Sequence, residues 1–237
     1  MARSNNGATV RVLGISGSPR QNGNTDRVVD AVVAHLARQG GVDAEFYGLA
    51  RRDVNLCTGC VEVCHPGYSS PRAEAARSLP WTLCRHSDAI TELLGKMAGA
   101  DVILIGSPVY FGDVSGLLKT LMDRSTSLIE VGEDGRYGSA LAGKTGGAIA
   151  VGGARHGGQE ATLEQIFTYF LLLQIVPVDF SEYGDQCHGV ACVAALPGEI
   201  ERDDWNVPVV GTPTSSLQQA KLYGEKLIAR ASARGPR

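Results

Sequence analysis

No stretch of this 237-residue chain is apolar for long enough to cross a bilayer; the run FLLLQIVPV from Phe170 is far too short. Basic excess is also missing. The formal net charge is −3 and the pI about 6.0, so nothing marks a nucleic-acid surface. The opening residues MARSNNGATVRVLGISG lack the charged, apolar, small-residue order of a secretory signal, and a cytoplasmic, reducing location is expected. No Ser/His/Asp ordering of the kind that builds a hydrolytic triad is recognisable, and no side chain presents itself as a dedicated acid, base or nucleophile. There is no internal repeat and no linker that would divide the chain. These absences exclude a membrane span, a nucleic-acid binder and a triad hydrolase. They leave a chain that is 43% hydrophobic and able to bury a core.

What is present is an alternation of strands and helices. Val10–Ile15 reads as a buried strand, Thr25–Ala37 as a helix with Val28, Val29, Val32, Val33 and Leu36 on one face, and Val42–Gly48 as a second strand. Helical spacing returns at Thr91–Ala98, followed by the apolar strand Asp101–Ile105 and a helix Ser115–Arg124 that Ser115 caps. GKTGGAIAVGG carries a fourth strand, Thr162–Gln174 a helix, Ile175–Val178 a fifth strand, and Ser215–Ala231 a closing helix. Phe180–Pro213 reads as irregular. This order predicts an α/β fold: a flavodoxin-like, doubly wound, five-stranded parallel sheet, order 2-1-3-4-5, with right-handed crossovers. Residues 1–237 form one unit in this reading, with a cysteine-rich loop, residues 56–85, inserted after the second strand.

Three loops leave the carboxyl edge of that sheet, where open α/β sheets bind ligands. SGSPRQNGNT joins the first strand to the first helix and offers Ser16, Ser18, Asn24 and Thr25 as donors, Arg20 as a charge, and a helix start with its positive dipole end. It lacks the Gly-Lys-Ser/Thr ending of a P-loop and does not fit G-x-G-x-x-G, so a single terminal phosphate suits it better than a triphosphate or a dinucleotide. The plain alternative is a polar turn capping a helix. GSPVYFGDVSG, after the third strand, presents Pro108, Val109, Tyr110 and Phe111 as an apolar wall, with Gly112 allowing close approach of a flat ligand. VGGARHGGQE, after the fourth strand, adds glycines and the donors Arg155 and Gln159.

ISGSPRQNGNT, ILIGSPVYFGDVSGLLKTLMDR and GGARHGGQE together resemble the NADPH-dependent FMN reductase group of flavodoxin-like proteins. The resemblance covers most of Val10–Val178. It implies FMN, with its phosphate held by Ser16, Ser18, Pro19, Arg20, Asn22, Asn24 and Thr25, and its ring cradled by Pro108, Val109, Tyr110, Phe111 and Gly112 and flanked by Gly152 and Gly153. Tyr110, Arg155 and His156 are the candidates for substrate contact. The electron donor implied is NAD(P)H, with ferredoxin as a further partner and a quinone-like or other small aromatic molecule as acceptor. A homodimer or homotetramer is implied as well.

The remaining signal is LCTGCVEVCHPGYSSPRAEAARSLPWTLC, which holds Cys57, Cys60, Cys64 and Cys84, four of the six cysteines. A disulfide knot, a zinc site, an iron–sulfur cluster and ordinary loop cysteines all remain open on composition. A reducing compartment weighs against disulfides, and the single C-x2-C knuckle weighs against zinc. Within the resembled group, a subfamily of iron–sulfur flavoproteins carries a compact cysteine motif at this position, C-x2-C-x2-C with a fourth cysteine close behind. Here the spacing is C-x2-C-x3-C with a long gap, and His65–Leu83 looks inserted. The resemblance therefore implies Cys57, Cys60, Cys64 and Cys84 as ligands of a [4Fe–4S] cluster. Cys187 and Cys192 read as small buried hydrophobes. Trp81 and Trp205, in the insertion and in the irregular segment, read as apolar cover for the crevice.

Overall fold

The computed structural model describes residues 9–60, 64, 84–131, 136–153, 157–178, 191–194 and 216–233. Its elements run β1 (Val10–Ser16), α1 (Asn24–Leu36), β2 (Val42–Gly48), α2 (Ala89–Gly99), β3 (Val102–Pro108) and α3 (Gly116–Arg124). A 3-10 turn (Ser125–Leu128) then leads into β4 (Ile129–Val131) and β5 (Tyr137–Ser139). The chain continues through β6 (Thr145–Gly152), α4 (Gln159–Leu172), β7 (Val176–Pro177), β8 (Ala191–Ala194) and α5 (Ser216–Ser232).

The sheet is parallel in the order β2-β1-β3-β6-β7, as the alternation of elements predicts. Its far edge is divided. The expected fifth strand over Ile175–Val178 pairs only through Val176 and Pro177, against Thr145 and Gly146. The upper half of β6, Ile149–Gly152, pairs instead with Ala191–Ala194, inside a segment that the sequence reads as irregular. Proline lacks the N–H that would continue a ladder, so β7 is short and a second segment completes the edge. A small antiparallel hairpin, β4 with β5, lies outside the sheet and was not anticipated.

β3 and β6 are buried along almost their whole length, because helices cover both faces of a parallel sheet. On one face, Val28, Val29, Val32, Val33 and Leu36 of α1 pack with Tyr223 and Leu227 of α5. On the other, Ile90, Leu93, Leu94 and Met97 of α2 join Leu118 and Leu121 of α3 and Ile166 and Phe170 of α4. Among the described residues no helix is long and apolar enough to cross a membrane.

Register decides what the loops can do. Ser16 is level with Gly48 on one side and Gly106 on the other, and Pro108 with Val151. The segments after β1, β2, β3 and β6 therefore all depart from one edge. The start of α1 approaches that edge closely because Gly106 has no side chain. A Cβ there would lie 2.4 Å from Val29 Cγ2 and 3.1 Å from Thr25 Cγ2. Gly106→Ala is expected to cost about 1–3 kcal/mol by overpacking against a stiff β-branched side chain. In urea denaturation the Gly106→Ala/Val29→Ala double variant should lose less than the sum of the two singles.

Candidate functional site

The loop after β1 is organised by a residue that the sequence pattern does not single out, Asp26. It is buried, in the first turn of α1, and both carboxylate oxygens are used. Ser16 Oγ donates to Oδ1 at 2.5 Å, and the Asn22 backbone N–H donates to Oδ2 at 2.8 Å. The second contact reaches back over the helix start as an acidic third-position side chain does in a capping box. Asn22 is held there at φ 58°. Ser18 Oγ donates to the Arg20 carbonyl at 2.9 Å and accepts the Arg20 N–H at 3.1 Å. The Ser16 and Ser18 hydroxyls thus shape the loop from within, while Pro19, Arg20 and Asn22 are exposed on it. Thr25 is buried and Asn24 half-buried. The N-cap of α1 is Gly23, which places no side chain over the first-turn N–H groups. A glycine-capped helix start with a positive dipole end, beside an exposed arginine, is an anion site in construction.

The loop after β3 is joined to the first by Ser115. Its Oγ donates to the Gly17 carbonyl at 2.5 Å and accepts the Leu118 N–H at 3.2 Å, and its own N–H donates to Ser107 Oγ at 3.0 Å. Tyr110 and Asp113 exchange backbone hydrogen bonds of 3.0 Å each, closing a tight turn over Phe111 and Gly112. Both central residues have positive φ, 54° and 77°. Glycine adopts that conformation freely, whereas a bulky phenylalanine there is a true outlier. Strain of this kind gathers at ligand-contacting loops. Phe111 is fully exposed and Tyr110 partly so, an aromatic surface turned to solvent at the sheet edge.

The third loop meets the second. Gly158 has φ 99°, and a Cβ on it would lie 2.7 Å from Gly112 Cα. Gln159, expected as a donor, is buried against Gly152, and its Oε1 accepts the Gly157 N–H at 2.7 Å. A Cβ on Gly152 would meet the Gln159 side chain at 2.3 Å, whereas one on Gly153 would meet open space. Arg155 and His156 lie outside the described residues, as do Trp81, Cys187 and Trp205.

The cysteine stretch departs from the same edge after β2, and its two flanks are fastened together. Ala89 N–H donates to the Asp53 carbonyl at 3.2 Å. The Asn55 N–H and Nδ2 donate to Asp88 Oδ2 at 2.9 and 3.1 Å. Asp88 also caps α2, accepting the Thr91 N–H at 3.2 Å. Across it lies Arg124, whose Nη1 donates to Asp88 Oδ2 at 2.6 Å and to the Asn55 carbonyl at 3.1 Å. Nη2 donates to Thr91 Oγ1 at 2.7 Å and to Cys84 Sγ at 3.2 Å. Burial alone would raise the Asp88 carboxyl. Its hydrogen bonds from Arg124, Asn55 and Thr91 prevail and hold it well below the usual carboxylate range.

Cys57, Cys60, Cys64 and Cys84 are free thiols, with Cys60 and Cys64 buried and Cys57 exposed. The Cys64 N–H donates to the Cys60 carbonyl at 3.3 Å, an i to i+4 contact that sets the two side chains on one side of a turn. Burial, and then the neighbouring Cys60, Cys84 and Cys57, pushes the Cys64 thiol up to about 12. Cys64 thus feels the other three cysteines, although among the described residues no three His, Cys, Asp or Glu side chains form a ready metal-binding group. Four free cysteines in one stretch are the donor set that an iron–sulfur group takes, their thiolate charge being offset by its iron.

Comparison with known proteins adds to this geometry. The family described as NADPH-dependent FMN reductase matches residues 10–184. The chain belongs to that family. An iron–sulfur flavoprotein of Methanocaldococcus jannaschii is 39% identical over 82% of this chain and 89% of its own length. Another from Archaeoglobus fulgidus is 31% identical over 94% of this chain and 96% of its own. These relatives put the chain in the iron–sulfur flavoprotein branch of the family. A solved flavone reductase shares the fold, with a TM-score of 0.62 at 18% identity over 96% of this chain and 65% of that one. A family member of this kind is an FMN-dependent oxidoreductase, and the loops have the chemistry FMN needs: a glycine-capped helix start beside an arginine for a phosphate, and an exposed aromatic turn with open backbone at Gly112 and Gly153 for a flat ring.

Asp26, Asp88, Arg124 and the Gly158–Gly112 contact were all missed by pattern. One signal was available: an acidic residue in the first turn after a glycine cap. Asp26→Ala would leave the buried Ser16 hydroxyl and the Asn22 N–H without their acceptor. It should destabilise the protein by about 1–3 kcal/mol per orphaned group, with the loss read by thermal unfolding. Amides of residues 18–23 should exchange with solvent faster in native-state hydrogen exchange.

Proposed function

We propose that the chain is an iron–sulfur flavoenzyme that moves electrons among NAD(P)H or a ferredoxin, FMN, a [4Fe–4S] cluster and a quinone-like or other small aromatic acceptor. Ser16, Ser18, Pro19, Arg20, Asn22, Asn24 and Thr25 surround the FMN phosphate in this reading. Pro108–Gly112 and Gly152–Gly153 receive the ring, and Cys57, Cys60, Cys64 and Cys84 hold the cluster. Bound FMN exchanges hydride with a nicotinamide and single electrons with a cluster, so the pair joins a two-electron partner to a one-electron partner.

One observation carries the reading. Cys64 feels Cys60, Cys84 and Cys57 in the stretch that leaves the sheet edge from which the three glycine-rich loops also depart. The chain's own residues then have plain tasks. The α1 start and Arg20 bind the phosphate, and Asp26 keeps that loop in shape without touching the ligand. Tyr110 and Phe111 present a face to ring and substrate, with Arg155 and His156 as further substrate contacts. Ser115 holds the phosphate loop against the ring loop. The free thiols suit a reducing, cytoplasmic setting. The exposed Leu171, Leu172 and Tyr137 suit burial in a homodimer or homotetramer.

The test is anaerobic purification with FMN, iron and acid-labile sulfide measured on one sample. About one FMN and about four irons with matching sulfide per chain are expected. Flavin without iron or sulfide would leave a plain flavin reductase. Cys84→Ala should lose most of the iron and sulfide while retaining flavin; full retention would remove Cys84 from the ligand set. Arg20→Ala should weaken FMN binding about tenfold, as loss of a charge-assisted phosphate contact does, and leave riboflavin affinity unchanged in fluorescence titration.

A further inference from the structure

Among the described residues one guanidinium is almost completely buried. The side chain of Arg124 is 1% exposed and that of its partner Asp88 0%. A buried ion pair is a weak source of net stability, since desolvation offsets most of the attraction. A well-packed apolar pair would serve the fold as well, so the geometry of this pair bears on what it does. Asp88 engages Nη1, while Nη2 is divided between Thr91 Oγ1 and the Cys84 sulfur. Nε has no hydrogen-bond partner among the described residues. The carboxylate neutralises the pair overall, yet the group bonded to the sulfur is a positively charged N–H donor, with Asp88 on the other nitrogen.

We propose that Arg124 sets the redox poise of the cysteine site by donating a hydrogen bond from a buried guanidinium to the Cys84 sulfur. This rests on the reading of Cys84 as a cluster ligand. Hydrogen bonds to ligand sulfurs and local charge are among the levers that tune iron–sulfur potentials. Uptake of one electron from a reductant breaks no bond and adds one negative charge to the cluster and its thiolates. A donor aimed at one of those sulfurs stabilises the more negative state and raises the potential. Among the described residues Arg124 contacts none of the flavin loops, so a shift of the cluster midpoint without one of the flavin is its expected signature. It is a positioning residue, acting through Cys84.

The test uses the FMN- and cluster-loaded protein and a dithionite titration followed by electron paramagnetic resonance. Arg124→Met paired with Asp88→Asn removes both charges together, which avoids stranding a buried carboxylate. At a fixed poise the ratio of reduced to oxidised cluster should fall about tenfold, a midpoint about 59 mV more negative for a one-electron couple. Iron, sulfide and the flavin midpoint should be unchanged. Arg124→Lys should give a smaller fall in the same direction.

An unchanged cluster midpoint in a fully loaded variant overturns the inference and leaves the cluster reading intact. A wild-type chain that takes up no iron and sulfide overturns both. Should neither variant load, wild-type protein carrying arginine labelled with 15N only in the guanidinium decides the matter. A nitrogen hyperfine coupling to the reduced cluster supports the inference, and its absence overturns it.

Discussion

An arginine and an aspartate removed from water together constrain everything near them, because neither can move without stranding the other. Breaking such a pair from one side costs roughly 3–5 kcal/mol. Arg124 ends α3, Asp88 begins α2, and Asn55, on the flank of the cysteine stretch, bonds to both. One charged contact therefore fixes the relative places of two helices and one end of the insertion. Thr91 and Cys84 take the donors that remain on Nη2. The same pair explains why α2 starts where it does. Asp88 is its N-cap, and the carboxylate that satisfies the Thr91 N–H is the one that neutralises Arg124.

A second constraint acts at the sheet edge. Three loops leave it from strands in matched register, but nearness alone would not give them a common shape. Ser115 joins the first two through the Gly17 carbonyl, and Gly158 leans on Gly112 to join the second and third. These contacts use a hydroxyl and bare backbone, not large side chains. That leaves Phe111 and Tyr110 free to face outward. A loop whose hydrogen bonds are satisfied internally can hold a strained aromatic turn in the absence of ligand.

Much of this was legible before any coordinates. Periodicity placed the first helix at Thr25–Ala37, and it runs Asn24–Leu36; the expected Ser115 cap is present. Strand order followed from the alternation of elements, since parallel strands need crossovers. The divided far edge did not. Ala191–Ala194 is four residues of weak strand pattern, and only its pairing with β6 makes it a strand. The three glycine-rich loops at the sheet edge were visible through their glycines and their place after strands. The buried ion pair beside the cysteine stretch was not. Asp88 and Arg124 are 36 positions apart, and Arg124 and Cys84 are 40 apart. Hydrophobic period reports which face of a helix is buried, and says nothing about which buried charge meets which.

The long cysteine insertion is then less of a burden than its length implies. Closing a loop becomes harder only with the logarithm of its length, so the added residues contribute little to the entropy of closure once its ends are set. Here the ends are set by Ala89 on Asp53 and by Asn55 on Asp88. Cys57 begins two residues beyond one anchor and Cys84 stands four residues before the other, with its sulfur already held by Arg124. Cys60 and Cys64 are tied to each other across a turn. Cys57 and Cys84 therefore take their places from short leads off the anchored flanks.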